Sequence, residues 1–283
     1  MKKRSLLFIA ISLMLVLLLA GCGGGGEVPE GENGAGEAEG GAFRVGMECG
    51  YAPFNWTQID DSNGAVPIDG SQEFAGGYDV EIAKRIAEGL GKELVIVKTE
   101  WDGLVPALVS GKIDAIIAGM SPTADRKETI DFSDIYYKSD LVMVIKAGSE
   151  YENATSIQDF SGAKITAQLN TFHYTVIDQI EGVDKQQAMD NFPAMRVALE
   201  SGIIDGYVSE RPEAVSASAA NPNFTFVEFT DGFKTSDEDT AIAVGLAKGS
   251  DLLEPINEIL AGISLEEQQE IMDTAIKNQP AAQ

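Results

Sequence analysis

Histidine and cysteine are nearly missing from this chain. One histidine, His173, and two cysteines, Cys22 and Cys49, in 283 residues leave nothing from which to assemble a multi-His metal centre, a His-dependent catalytic dyad or a disulfide framework. No metal and no cofactor is therefore expected. Basic residues are also scarce: 20 Lys and Arg stand against 45 Asp and Glu, for a formal charge of −25. That balance excludes a grip on nucleic acid and capture of an acidic substrate by bulk field. Long apolar runs are absent but for Leu6 to Leu19, which is shorter than the roughly 20 residues of a membrane span.

That run has a different reading. Lys2, Lys3 and Arg4 precede it and Leu19-Ala20-Gly21-Cys22 follow it, the order of a secretory signal with a small-residue cleavage site. The ending resembles the lipobox of bacterial lipoproteins, which implies a signal peptide over 1–21 and a lipid-modified Cys22 as the mature N-terminus. Acylation would hold the chain on the extracytoplasmic face of the cell membrane without crossing it. Residues 22–42, rich in Gly and Glu, cannot bury enough apolar surface to order themselves and read as a tether. About 240 residues remain, which is room for two modest cores.

Two stretches, Pro106 to Gly119 and Val197 to Glu210, share Ala107 with Ala198, Leu108 with Leu199, Ser110 with Ser201, Gly111 with Gly202, Ile113 with Ile204 and Asp114 with Asp205. In each, an amphipathic helix ends at Ser-Gly and leads into a buried β-branched strand. This is half a βαβ unit, used twice. From Phe43 the order is β, α, β, α, β, with Asp79 as the N-cap of the first helix and Asp102 as that of the second. The same order recurs from Lys164. Leu141 to Ile145 and Ala241 to Leu246 read as two extended crossings between αβ lobes, with a helical tail, Leu252 to Ile276, returning to the first. The expected division is 43–140 with 240–283 in lobe 1 and 141–239 in lobe 2.

Open αβ sheets bind ligands beyond the C-terminal ends of their strands. In lobe 1 those ends lead to Glu48, Tyr51, Trp101, Gly119, Met120, Ser121 and Arg126; in lobe 2 they lead to Asn170, Thr171, Phe172 and Glu210. Aromatics, carboxylates, one guanidinium and small polar groups suit a small zwitterion better than a phosphate or a metal. Ser121-Pro122 reads as an N-cap and first helical position, with Arg126 one turn on to fork a carboxylate.

Taken together, Tyr51-Ala52-Pro53-Phe54, Gly76-Gly77-Tyr78-Asp79-Val80-Glu81-Ile82-Ala83, Trp101-Asp102-Gly103-Leu104-Val105-Pro106-Ala107-Leu108, Gly119 to Arg126 and Ile130-Asp131-Phe132-Ser133 strongly resemble family 3 extracellular solute-binding proteins, the polar amino-acid receptors of ABC importers. The resemblance implies an α/β, two-lobed periplasmic-binding-protein type II fold, with two doubly wound lobes joined by a two-strand hinge. It implies that Arg126 clamps the ligand α-carboxylate with Ser121 and the Thr171 amide assisting. Gly119 and Glu210, the latter where the family usually has Asp, would take the α-ammonium. Tyr51 and Trp101 would wall the side chain and Glu48 would meet its far end. Asn170 stands where the family's Gln-Gly-Thr/Ser pattern has its glycine.

The function expected is a lipid-anchored receptor that hands an amino acid to an ABC permease, acting as a monomer. A carboxylate and aromatics around the side chain favour arginine or lysine over glutamine or histidine. A dehydratase acting on a cyclic carboxylate, with Glu210 as base, is the enzyme alternative, disfavoured because Glu210 lacks a second titratable partner. A receptor-kinase sensor is disfavoured by the absence of any signalling module before Gln283. Cys49 is read as a small wall residue, His173 as packing or support for binding residues, and the methionines as core.

Overall fold

Alternating apolar residues of Phe43, Val45 and Met47, all fully buried, start the first strand of the fold. The computed structural model describes residues 41–280. The signal peptide, Cys22 and nearly all of the tether lie outside that range, and Ala42 already belongs to β1 (Ala42–Met47).

Four short strands follow as a small antiparallel sheet: β2 (Gly50–Tyr51), β3 (Asn55–Gln58), β4 (Val66–Pro67) and β5 (Phe74–Gly76). The main alternation then runs α1 (Tyr78–Gly89), β6 (Glu93–Lys98), α2 (Trp101–Val109), β7 (Ala115–Ile116), α3 (Ala124–Thr129) and β8 (Ile130–Lys138). There follow β9 (Leu141–Lys146), β10 (Lys164–Thr166), α4 (Phe172–Val176), β11 (Asp184–Lys185), α5 (Phe192–Ser201), β12 (Gly206–Glu210), α6 (Arg211–Ala220) and β13 (Phe224–Val227), whose strands share a second sheet. The chain returns through β14 (Ala241–Ala247), α7 (Leu253–Ala261) and α8 (Leu265–Asn278).

The two main sheets follow one plan. The first has the order β6-β1-β7-β14-β8 and the second β11-β10-β12-β9-β13. In each, three parallel strands are followed by one antiparallel strand, β14 or β9, and then by an edge strand, β8 or β13, that pairs antiparallel with it. The helix-to-strand repeat supplies the same step in both: Gly111 and Gly202 take left-handed backbone (φ 73° and 75°), which ends α2 and α5 and turns the chain into the central strands.

The crossings between lobes fall just outside the two apolar strands expected to form them. Leu141 to Ile145 pairs within the second sheet and Ala241 to Leu246 within the first. Ser139 and Thr240 meet between them, Ser139 N donating to Thr240 O at 3.0 Å. The C-terminal helices lie on the first lobe, and the end of α8 also reaches the second: Gln279 Nε2 donates to the Ser216 carbonyl at 3.2 Å.

Neither aspartate proposed as a helix N-cap holds that place. Gly77, at φ 124°, is the N-cap of α1, and Asp79 lies inside the first turn, fully buried. Its carboxylate accepts from Asn55 Nδ2 and Tyr136 OH, each at 2.8 Å, and from the Gly119 amide. Burial outweighs those donors and raises it to about 6. This buried cluster ties the loop after β1 to the turn after β7. Glu100 caps α2, leaving Asp102 on its exposed first turn.

Candidate functional site

The ends of β1 and β7 in one lobe and of β10 and β12 in the other converge on a narrow, partly open cleft with about 10 Å³ of free space, room for about one water. Of the residues expected there, Tyr51, Trp101, Gly119, Ser121, Arg126 and Thr171 form its walls. The strand-end rule works because the crossover connections carry each following loop over the same edge of the sheet.

Tyr51 is the pivot of the pocket. Its ring stacks on Phe192 from the opposite lobe, 4.3 Å between centroids and 8° between planes, and leans on Phe54 at 4.8 Å. Its hydroxyl donates to Glu210 Oε2 across the cleft. Gly119 sits beneath it at φ 63°, where a Cβ would stand 2.6 Å from Tyr51 Cε1. Only glycine permits both that backbone and that approach.

Arg126 is held by carbonyls of both lobes. Nη1 donates to Ser121 O at 2.9 Å and Nη2 to Asn170 O at 3.1 Å, while Cζ lies 5.0 Å over the Trp101 ring, a cation–π distance. Partial loss of solvent lowers its pKa to about 10, still far above neutrality, so the guanidinium remains charged. Its helix starts later than expected. Thr123, not Ser121, is the N-cap of α3, and the Ser121 hydroxyl donates instead to Asp239 O at 3.0 Å.

Two carboxylates are buried at the site. Glu210, 2% exposed, is pushed up to about 8, by burial first and then by the negative field of Glu213. Glu48, 9% exposed, is pushed up to about 7, again by burial first; the Gln168 hydrogen bonds oppose that shift and Glu100 and Asp102 add to it. Gln168 Nε2 lies 3.2 Å from each Glu48 oxygen and 3.1 Å from Asp190 O. Among the described residues no lysine or arginine is ion-paired with either carboxylate.

Asn170 is exposed at the rim. Its backbone is left-handed at φ 56°, which asparagine tolerates better than most residues, and its side chain reaches the other lobe, Nδ2 donating to Asp102 Oδ1 at 2.8 Å. Thr171 Oγ1 donates to Gln168 O at 2.7 Å, fixing the turn that leads into α4. Met120 is not on the pocket wall: its side chain is in the hydrophobic core and its carbonyl accepts from Ala243 N at 3.1 Å.

Three lining residues, Gln168, Phe172 and His173, were outside the expected binding set, and Phe192 was outside it as a support. Phe172 is among the residues that the strand-end rule reaches, although it was given no binding role. Phe192 had no such signal, because it enters from the start of α5. Cys49 is buried, and burial raises its thiol to about 12, so it is inert packing.

Comparisons with known proteins agree with this geometry. The sequence model of bacterial extracellular solute-binding proteins, family 3, matches residues 43–277. A protein of Campylobacter jejuni named a probable histidine-binding protein is 33% identical over 237 residues, covering 83% of each chain. The arginine-binding extracellular protein ArtP of Bacillus subtilis is 25% identical and covers 92% of each. Among solved structures, an amino acid ABC transporter substrate-binding protein from Streptococcus pneumoniae bound to L-arginine superposes with a TM-score of 0.73 at 27% identity, covering 83% of this chain and 94% of that one. Such neighbours have the two-lobed type II periplasmic-binding fold.

Proposed function

The chain belongs to the bacterial extracellular solute-binding proteins of family 3, and from that premise we propose that it is a lipid-anchored receptor that captures a cationic amino acid, arginine or lysine, for an ABC importer. The observation that carries the choice is the charge of the pocket. Two buried carboxylates stand just behind its wall, Glu48 bonded to the lining residue Gln168 and Glu210 to the lining residue Tyr51, and Arg126 is the single guanidinium on the wall. An amino acid with a cationic side chain offers the complement: one carboxylate for Arg126 and two cations for the glutamates. Trp101 and Tyr51 add flat faces that attract a guanidinium.

In this reading Arg126, Ser121 and the Thr171 amide hold the α-carboxylate. Gly119 and Glu210 hold the α-ammonium, and Glu48 meets the side chain. Residues 43–140 with 240–283 make one lobe and 141–239 the other. Hinge closure brings both lobes into register for the permease. Relatives named for arginine binding and the arginine-bound neighbour support the ligand class.

A second reading has its own observation. With its carboxyl raised to about 7, Glu48 is partly protonated at neutral pH and could serve a neutral amide or imidazole, as in glutamine or histidine. Calorimetric titration of the purified protein with arginine, lysine, glutamine and histidine separates the two. The cationic reading predicts that Glu48→Gln weakens arginine or lysine binding strongly and leaves glutamine unaffected. It fails if the wild type binds glutamine or histidine best and ignores both cations.

We treat the chain as a receptor and not a catalyst. Its family consists of solute-binding receptors. Glu210 does have titratable neighbours, contrary to the expectation from sequence: Tyr51 on one oxygen and His173 beside the other. His173, however, is held near pKa 3 by burial and by Arg126, too low to act as a general acid at neutral pH. The anchor rests on Leu19-Ala20-Gly21-Cys22. If Cys22→Ala stays in the membrane pellet as firmly as wild type, the anchor is something else.

A further inference from the structure

His173 is the only histidine in the chain, and it is placed where an apolar residue would pack at less cost. It lies on α4, 5% exposed, and lines the pocket beside Thr171 and Phe172. Neither ring nitrogen has a hydrogen-bond partner. Nε2 is 3.2 Å from Glu210 Oε1, within reach of that oxygen but not aimed along a hydrogen bond. The other oxygen of the same carboxyl, Oε2, accepts from Tyr51. Buried polar groups are nearly always partnered, and each one left alone calls for an explanation.

We propose that His173 is a positioning residue that donates Nε2–H to Glu210 Oε1 and so holds this carboxylate against the α-ammonium of the captured amino acid. The proposal rests on the reading of Glu210 as the ammonium acceptor. With Tyr51 on Oε2 and His173 on Oε1, both oxygens of a flexible glutamate are fixed from two sides, and the side chain loses less conformational freedom when it ionises against the ammonium. The imidazole suits this role because it is neutral: burial, and after it the field of Arg126, keep it from taking a second proton. A neutral donor steadies the carboxylate without cancelling the charge that the ammonium needs. The remaining ionisable neighbours acting on the pair are Tyr51 from β2, Glu213 from α6 and Arg126 from α3.

The α-ammonium is common to all amino acids, so the test is independent of side-chain preference. The untagged full-length protein is titrated with L-arginine, and with L-glutamine and L-histidine in parallel, as wild type, His173→Ala, Glu210→Gln and the double variant. His173→Ala should weaken every measurable ligand by about tenfold. In the Glu210→Gln background the same change should cost less than about twofold, the signature of one residue acting through another. His173→Gln, whose amide can donate, should recover most of the loss. An equal cost in both backgrounds, or no cost in the first, overturns the proposal. If Glu210→Gln itself leaves binding intact, it is the reading of Glu210 as ammonium acceptor that fails. Where His173→Ala does not fold, nitrogen NMR of the wild type decides, because a single histidine gives a single pair of ring signals. Nε2 should carry the proton and shift on addition of amino acid; Nε2 bare in the bound form overturns the assignment.

Discussion

Asp114 and Asp205 make the same pair of bonds in the two lobes. Asp114 Oδ2 accepts from Arg44 N at 2.8 Å while its own amide donates to Arg44 O at 2.8 Å. Asp205 does the same with Lys164, 2.8 Å in both directions. Each aspartate stitches the turn after a repeat helix to a parallel strand of its sheet, β1 or β10. Asp114 alone adds a two-point contact to the Arg44 side chain, Nε at 3.1 Å and Nη2 at 2.8 Å.

Because the shared bond is a backbone amide to a carboxylate, alanine at either position should cost about 1–2 kcal/mol of stability. Asp114→Ala should cost no more than a few tenths beyond Asp205→Ala, since the extra ion pair is half exposed and screened. Urea unfolding measures both. No change in either variant would mean that water replaces these bonds without loss.

Gly119→Ala should damage binding and stability together. Its Cβ would meet Tyr51 Cε1 at 2.6 Å and Cδ1 at 3.1 Å, and the ring cannot retreat because Phe54 and Phe192 flank it. The left-handed backbone adds its own strain. A stability loss of about 1–3 kcal/mol and a loss of affinity above about tenfold are expected. Wild-type affinity in this variant would place Tyr51 outside the binding wall.

Arg126→Ala should nearly abolish capture. Losing one partner of a desolvated charge pair costs about 2–5 kcal/mol, or roughly 30-fold to several thousand-fold in Kd. Folding should be little affected, since Arg126 makes two hydrogen bonds, to Ser121 O and Asn170 O, and the second of these carbonyls belongs to an exposed residue. Calorimetry showing less than about a tenfold loss would remove Arg126 from the carboxylate site.

The two-lobed αβ plan was readable from sequence for one reason: the repeat imposes like residues on like places. Gly111 and Gly202 end helices, Asp114 and Asp205 clamp strands, and the loops beyond carry Tyr51, Arg126, Thr171 and Glu210 to one edge. What escaped was structure too short or too polar for periodicity to reveal. The strands β2 to β5 are two to four residues long, and β8 carries Asp131, Ser133, Asp134 and Lys138 among its apolar residues. Asp79 looked like an N-cap because an amphipathic helix follows it. The φ of 124° at Gly77 moves the helix start back and turns that carboxylate into the core. Pro122 holds Ser121 extended, so α3 begins only after Thr123.

Asn170 and Asp102 form a bridge between lobes at the rim, and both are exposed. Asp102→Ala should favour the open form by about 0.5–1.5 kcal/mol, typical of one net hydrogen bond, and so weaken affinity by roughly two- to tenfold, mostly through faster release. Asn170→Gly keeps the left-handed backbone without the bridge and should match it. Stopped-flow release rates test the pair; an unchanged rate in both variants would show the bridge to be incidental.

The two buried glutamates set a pH dependence whose sign is fixed. Burial raises Glu48 from 4.5 to about 7 and Glu210 from 4.5 to about 8. The closed fold therefore binds protons that the unfolded chain has already released, and stability must fall as pH rises between about 4.5 and 8. Each group contributes at most about 1.4 kcal/mol per pH unit in that window. Asp79, raised to about 6, adds the same sign at the lower end. A cationic amino acid reverses the trend because it pairs with the ionised carboxylates, so protons compete with it. Affinity for arginine or lysine should tighten from pH 6 to pH 8, by up to tenfold per unit for each group that must ionise. Melting points at pH 5.5, 7 and 8.5, with and without saturating arginine, should diverge as pH rises. Glu48→Gln should flatten the part of both curves near pH 7. A melting point without amino acid that climbs steadily from pH 5.5 to 8.5 would mean that these carboxylates are ionised and compensated in the fold, and the charge argument for a cationic ligand would fall with it.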